Sequence, residues 1–182
     1  MENQLSFFTD SPSSARTTKN PVLTSSGQPH LVIHIDGAAR GNPGPAGAGI
    51  YVTYQNTPIL KKGIYLGQKT NNQAEYLALV LAILFVETWC EKEGIKNPFL
   101  AFFSDSELLV RQMSGIYKIK NPALVELKKF IDVSLQTYSH KFTHVLREKN
   151  KDADKLANLG IDKKTKPPTV FSKILSDYGL SI

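Results

Sequence analysis

Four acidic residues of this chain, Asp36, Glu75, Asp105 and Asp154, have the types and positions that suit metal chemistry. Asp36 and Asp105 each follow an apolar run, LVIHI and FLAFFS, and so stand where a buried segment meets open backbone. Glu75 and Asp154 lie in the first turns of two helical patterns, each close to an asparagine able to cap. An ionised carboxylate leaves water only when something compensates its lost hydration. Four of them brought together repel one another at neutral pH, and hard divalent cations with oxygen ligands are the simple remedy. Two such ions about 4 Å apart, bridged by a shared carboxylate, form the arrangement used for in-line phosphodiester displacement. Taken singly, each acid reads as a helix cap or a solvated terminus, because first turns favour Asp and Glu through the helix dipole. The combination is what points to metal-dependent chemistry.

The elements that must position these acids follow from hydrophobic period. Leu31, Val32, Ile33 and Ile35 predict a central strand buried on both faces, ending at Asp36 in a turn of glycine and proline. Residues 48–54 and 59–66 predict two further strands, joined as a hairpin through Gln55, Asn56, Thr57 and Pro58. The period changes over 71–93, where Ala74, Leu77, Leu81, Leu84 and Phe85 recur at helical spacing; Asn71 or Asn72 is placed to cap this helix and Gly94 to stop it. It is apolar nearly all round, as a helix in the middle of a sheet face must be. Residues 99–104 predict a buried strand, Glu107 opens a short helix stopping near Gly115, and Asn121-Pro122 opens a second long helix. A strand over 140–146 and a helix over 151–160 complete the pattern, which is that of an α/β domain with a mixed sheet. If the first and fourth strands are adjacent and parallel, their C-terminal ends bring Asp36 and Asp105 together at the edge where open α/β sheets bind ligands. Glu75 and Asp154 then come within reach.

Composition bounds the partners. With 182 residues, 41% of them hydrophobic, the chain suffices for one core. An excess of 22 Lys and Arg over 16 Asp and Glu favours a polyanionic partner. The single cysteine, Cys90, excludes an internal disulfide and suits a reducing compartment. No apolar run reaches the roughly 20 residues of a membrane span, and the N-terminus, carrying Glu2 and Asp10, lacks a secretory or import pattern, so the expected location is the cytoplasm. Residues 1–29 read as a flexible, Ser/Thr/Pro-rich tail, 30–162 as the folded domain, and 163–182 as a C-terminal extension that either docks or frays.

The stretches DGAARGNPGPAGAGI, TNNQAEYLAL, FFSDSELLVRQ and HVLREKNKDADKLANLG resemble, in this order, the four acidic motifs of the ribonuclease H family, enzymes that cut the RNA strand of RNA/DNA hybrids. The resemblance runs over residues 31–162. It implies an α/β ribonuclease H-like fold with a five-stranded mixed sheet and helices on both faces. It also implies that Asp36, Glu75, Asp105 and Asp154 are the catalytic, metal-binding carboxylates, holding two Mg²⁺ ions with Mn²⁺ as substitute. Asn42, Asn71 and Asn72 match family positions that contact the hybrid in its minor groove, and Thr70 matches one associated with a DNA-strand phosphate. Amides suit that role, since they can bond 2′-hydroxyls and base edges in a wide, shallow groove. A monomer is expected.

Two departures from the family stand out. The basic protrusion that grips hybrid in many members is reduced here to Lys118 and Lys120 within 115–122, which shifts the burden to Lys128, Lys129 and the flanking loops. The loop before the last aspartate often carries a histidine; here it holds Arg147, Glu148 and Lys149, and the loop role falls to Glu148. His144 sits in the alternation Phe142, His144, Leu146 and reads as structural. The rival functions are a non-catalytic hybrid- or duplex-RNA-binding module and a DNA-processing nuclease of the same fold. Near the N-terminus, Gln4, Leu5, Ser6, Phe7 and Phe8 resemble the peptide by which bacterial replication and repair proteins bind the sliding clamp, departing at Phe7 where leucine is usual.

Overall fold

The apolar run after Pro29 becomes the central strand of a five-stranded sheet in the computed structural model, which describes residues 29–182. The expected N-terminal tail, with Gln4, Leu5, Phe7 and Phe8, lies outside the described residues. In chain order the elements are β1 (His30–Ala39), β2 (Gly44–Tyr54), β3 (Thr57–Lys69), α1 (Asn71–Glu93), β4 (Phe99–Ser104), α2 (Glu107–Met113), α3 (Pro122–Leu135), β5 (His140–His144), α4 (Lys151–Lys163) and α5 (Thr169–Asp177). The sheet order is β3-β2-β1-β4-β5. β1 pairs antiparallel with β2 and parallel with β4, which pairs parallel with β5. The mixed sheet expected from the element order is present, and it carries helices on both faces.

β1 corrects two expectations. It runs three residues past Asp36, to Ala39, because Gly37, Ala38 and Ala39 keep pairing with Ala48, Gly47 and Ala46 of β2. Its burial is also one-sided: Leu31, Ile33 and Ile35 are fully buried while Val32 and His34 on the other face are only half-buried. The hairpin turn is tighter than expected. Tyr54 pairs with Thr57, leaving only Gln55 and Asn56, both with positive φ, as a two-residue turn of that twist requires.

α1 spans the expected residues, but its cap is Thr70 rather than Asn71 or Asn72. The Thr70 hydroxyl accepts from the Gln73 N–H at 3.3 Å while the Gln73 side chain accepts from the Thr70 N–H at 2.9 Å, a reciprocal capping box. Glu75 therefore falls in the second turn, not the first. At the far end Gly94 takes φ 67°, left-handed backbone that favours glycine. Contrary to the expectation from apolar runs, α1 is long and apolar enough to cross a membrane by length and composition, yet 83% of its apolar window is buried. Its residues from Ala74 to Val86 lie between the sheet, α3 and α5.

The opposite sheet face is closed by α4. Neighbouring strand residues project to opposite faces. Gly37 points at the α1 backbone, whereas Gly49, which pairs with Asp36, points at α4, where a Cβ would meet the Ala153 carbonyl oxygen at 1.9 Å. Small residues on both sides, Gly47, Gly49 and Gly63 against Ala153, Ala157 and Gly160, let this helix lie on the sheet. Gly160 is consequently an interface residue rather than a helix stop, and α4 continues to Lys163. Residues after 162 also belong to the core: Phe171 and Leu175 of α5 are buried, with Phe171 edge-on to Phe85 of α1 at 4.8 Å. The Tyr65 N–H of β3 donates to the Thr165 carbonyl at 2.7 Å, anchoring the connector. The extension docks.

Candidate active site

The parallel register places the first two acids. His34 of β1 lies alongside Phe103 of β4, so two residues further on Asp36 comes alongside Asp105 on the same face of the sheet. α1 begins beside the same edge, and its approach is close: a Cβ on Gly37 would lie 2.1 Å from the Glu75 backbone nitrogen. α4 starts on the Asp36 side and brings Asp154 in its first turn. Asp36 and Glu75 are buried, 6% and 7% exposed, while Asp105 and Asp154 are half-buried.

Their electrostatics show that the acids share one space. Burial pushes the Asp36 carboxyl up to about 7; the charges of Asp105 and Asp154 add to the rise, and Arg147 and the Gly37 N–H oppose it. Glu75 is held well above the usual carboxylate range, first by burial, then by Asp36 and Asp105. Its Oε2 is buried without a hydrogen-bond partner. An orphaned carboxylate oxygen among mutually repelling carboxylates calls for a cation. Among the described residues no three His, Cys, Asp or Glu side chains are yet gathered as a metal cage. The donors fit the group all the same: they are oxygens only, the set preferred by hard divalent ions over softer metals.

Two further residues enter the site that sequence reasoning did not assign to it. Arg147, in the single 3₁₀ turn Arg147–Lys149, places Nη2 2.7 Å from Asp154 Oδ1. Asn150 was legible only as a cap for α4, and it makes no side-chain cap bond. Instead this residue, 1% exposed, donates through Nδ2 to the Ile35 carbonyl at 2.9 Å and to Asp105 Oδ1 at 2.7 Å. Glu148 is exposed beside Arg147, Lys151 and Asp154, with which it lines a shallow depression. His144 ends β5 with an exposed side chain, and the strand stops there instead of reaching Leu146.

The residues expected to meet substrate lie together on an adjoining rim. The exposed Asn42 side chain accepts the Asn71 N–H at 3.1 Å, joining the glycine-proline loop to the start of α1, with Asn72 exposed next to it. Thr70 is half-buried and its hydroxyl is engaged by Gln73, accepting from the backbone N–H and donating to Oε1 at 3.1 Å.

Residues 34–160 match the family model described as reverse transcriptase-like. The chain is 36% identical over 139 residues to a bifunctional protein of Mycobacterium tuberculosis, covering 72% of this chain and 35% of that protein. It is 34% identical over 131 residues to ribonuclease HI of Halobacterium salinarum, covering 71% of this chain and 63% of the relative. The match thus spans about a third of the mycobacterial protein. Among solved structures, LC11-RNase H1 in complex with RNA/DNA hybrid is similar with TM-score 0.68 and 40% identity, over 73% of this chain and 97% of that one. The N-terminal RNase H domain of the mycobacterial protein is similar with TM-score 0.65 and 35% identity, over 73% of this chain and 99% of that one.

Proposed function

This chain belongs to the ribonuclease H family, and from that premise we propose that it is a divalent-metal-dependent endoribonuclease acting on the RNA strand of RNA/DNA hybrids. The observation that carries the reading is the convergence of Asp36, Glu75, Asp105 and Asp154 at one sheet edge, with Asp36 and Glu75 buried and raised in pKa first by that burial and then by neighbouring carboxylates of the same set. In the reaction a water oxygen attacks phosphorus in line, the bond to the 3′-oxygen breaks, and the products carry 5′-phosphate and 3′-hydroxyl ends. Mg²⁺, with Mn²⁺ as substitute, would supply a deprotonated water and stabilise the departing oxygen when two ions are bound. The protein's part is to hold four carboxylates on β1, β4, α1 and α4 against their mutual repulsion, and to present Asn42, Asn71 and Asn72 on the rim to the ribose side of the hybrid. Thr70 would take a DNA-strand phosphate at the cost of its present donation to Gln73.

The deciding experiment is one gel with labelled hybrid, duplex DNA and duplex RNA, each with and without Mg²⁺. Cleavage of the RNA in the hybrid alone, and only with metal, is the expected result; cutting of duplex DNA, or binding without cutting, would replace this reading. The setting we infer is cytoplasmic, in replication or repair, which suits the free Cys90 and the net charge of +6. The peptide from Gln4 to Phe8 is proposed to bind a bacterial sliding clamp, and residues 1–12 titrated against such a clamp should saturate unless Leu5 and Phe8 are replaced by alanine.

A further inference from the structure

The Asn150 amide is fully engaged at the centre of the site, and its partners fix which way round it sits. Its nitrogen donates to a main-chain carbonyl of β1, Ile35, and to Asp105 at the end of β4. Its oxygen then faces His34 Nδ1 at 3.2 Å. An amide oxygen only accepts, so His34 must carry a proton on Nδ1. His34 is itself held, with its ring stacked on Phe103 at 5.0 Å and 16°. Asn150 also opens α4, where its carbonyl oxygen accepts the Asp154 N–H at 3.1 Å. One residue therefore ties together the strand carrying Asp36, the carboxylate of Asp105 and the helical turn carrying Asp154.

We propose that Asn150, held in its amide orientation by His34, is a positioning residue that fixes Asp105 and the first turn of α4 where metal binding by the carboxylates requires them. The inference rests on the metal-dependent reading above. Carboxylates that repel one another spread apart unless something neutral and directional restrains them. Asn150 does this without adding charge: it grips one oxygen of Asp105 and leaves the other for a ligand. An aspartate here would set a fifth carboxylate against Asp105, and an alanine would leave the Ile35 carbonyl, Asp105 and His34 without this partner. His34 acts at one remove. With a ring at position 34 that cannot donate, the Asn150 oxygen loses its partner in a buried place, and the amide loses what selects its orientation.

The test is a set of Mn²⁺ titrations by calorimetry on wild type, Asn150→Ala, Asn150→Ser, His34→Phe and the double variant His34→Phe/Asn150→Ala, with thermal melts and single-turnover cleavage of hybrid alongside. Wild type must first bind Mn²⁺; if it does not, the functional reading fails rather than this inference. The expected result for Asn150→Ala is Mn²⁺ affinity about 10- to 100-fold weaker, the range for loss of a metal ligand's supporting partner. The cleavage rate should fall with it while KM for hybrid stays within about twofold. His34→Phe, which keeps the stacked ring, should shift Mn²⁺ affinity in the same direction by a smaller factor. The double variant should be no worse than Asn150→Ala. Asn150→Ser, retaining one donor, should fall between wild type and alanine and keeps the test alive if alanine fails to fold. Melting temperatures that drop while Mn²⁺ affinity holds, or His34 and Asn150 effects that multiply, would overturn the inference.

Discussion

The Arg147 guanidinium lies 2.7 Å from the Asp154 carboxylate, at the open side of a site otherwise filled by negative charge. Its field also reaches Asp36 and Asp105, where it opposes the rise in the Asp36 pKa. This arginine offsets the charge of the acids and holds one oxygen of Asp154, so it competes with a divalent ion for that carboxylate. Because the Arg147 side chain is 78% exposed, water screens the pair and the competition is modest. Arg147→Ala should therefore tighten Mg²⁺ or Mn²⁺ binding a few-fold, and raised salt should narrow the gap between variant and wild type. A calorimetric titration giving unchanged or weaker affinity for the variant would show that the arginine assists the ion instead of competing with it.

Asp36 links metal to stability through pH. Its folded pKa of about 7 lies above the ordinary value of 3.8, so between these limits the folded protein keeps a proton that the unfolded chain has released. The Asp36 contribution to stability should then fall as pH rises from about 4 to 7, with a penalty at neutral pH on the order of 4 kcal/mol when no metal is bound. Asp36→Asn removes the penalty. The variant should be more stable than wild type at pH 7 without metal, equal to it near pH 4, and indifferent to added Mg²⁺ that raises the wild-type melting temperature. Melts in chelator at both pH values are the measurement, and a stability gap between variant and wild type that does not widen from pH 4 to 7 would contradict the sign.

Gly37 sets how closely α1 approaches the sheet. A Cβ there would lie 2.1 Å from the Glu75 nitrogen and 2.2 Å from the Ala74 carbonyl carbon, both backbone atoms that can yield only if the helix moves. Gly37→Ala should cost about 3 kcal/mol or more, the upper end for overpacking, and should weaken metal binding because Glu75 is carried outward with the helix. Gly94→Ala is the matched control. Its φ of 67° strains alanine by about 1 to 2 kcal/mol, but nothing lies within 4 Å of the added atom, so metal affinity should not change. Equal effects of the two on Mn²⁺ affinity would deny the close-approach argument.

How much of this was legible in the sequence depends on whether the signal was local. The bounds of α1, the placement of Asp105 after FLAFFS and the stop at Gly94 follow from period and turn chemistry within a few residues, and they hold. The capping box at Thr70 was equally local but hidden behind two better-looking caps, Asn71 and Asn72; the glutamine at position 73 was the cue. Asn150 could not be read in the same way. Its partners lie 45 and 115 residues away, so a residue that looks like a cap from its neighbours is claimed by β1 and β4 once the chain folds. Arg147 was visible as a charge in a turn, yet nothing local ties it to an aspartate seven residues on. The docking of α5 turned on Phe171 finding Phe85, with Leu175 buried beside it on the same helix, a pairing no window of sequence contains.

Asn42 reaches from the glycine-proline loop to the first N–H of α1, so the loop and the helix start present one polar surface next to the carboxylates. Asn42, Asn71 and Asn72 are all exposed, so replacing one of these amides in the free protein leaves groups that water can satisfy. Against a bound hybrid the same change removes a hydrogen bond that water can no longer replace. Asn42→Ala and Asn72→Ala should therefore melt within about 1 kcal/mol of wild type and bind Mn²⁺ normally. Their KM for hybrid should rise roughly 2- to 12-fold per lost bond, the equivalent of about 0.5 to 1.5 kcal/mol. Single 2′-deoxy substitutions walked along the RNA strand separate ribose reading from general loss of affinity. At the position an asparagine reads, wild type should be penalised and the alanine variant should not, because the bond is already gone; equal penalties at every position would show that these amides contact something other than the 2′-hydroxyl.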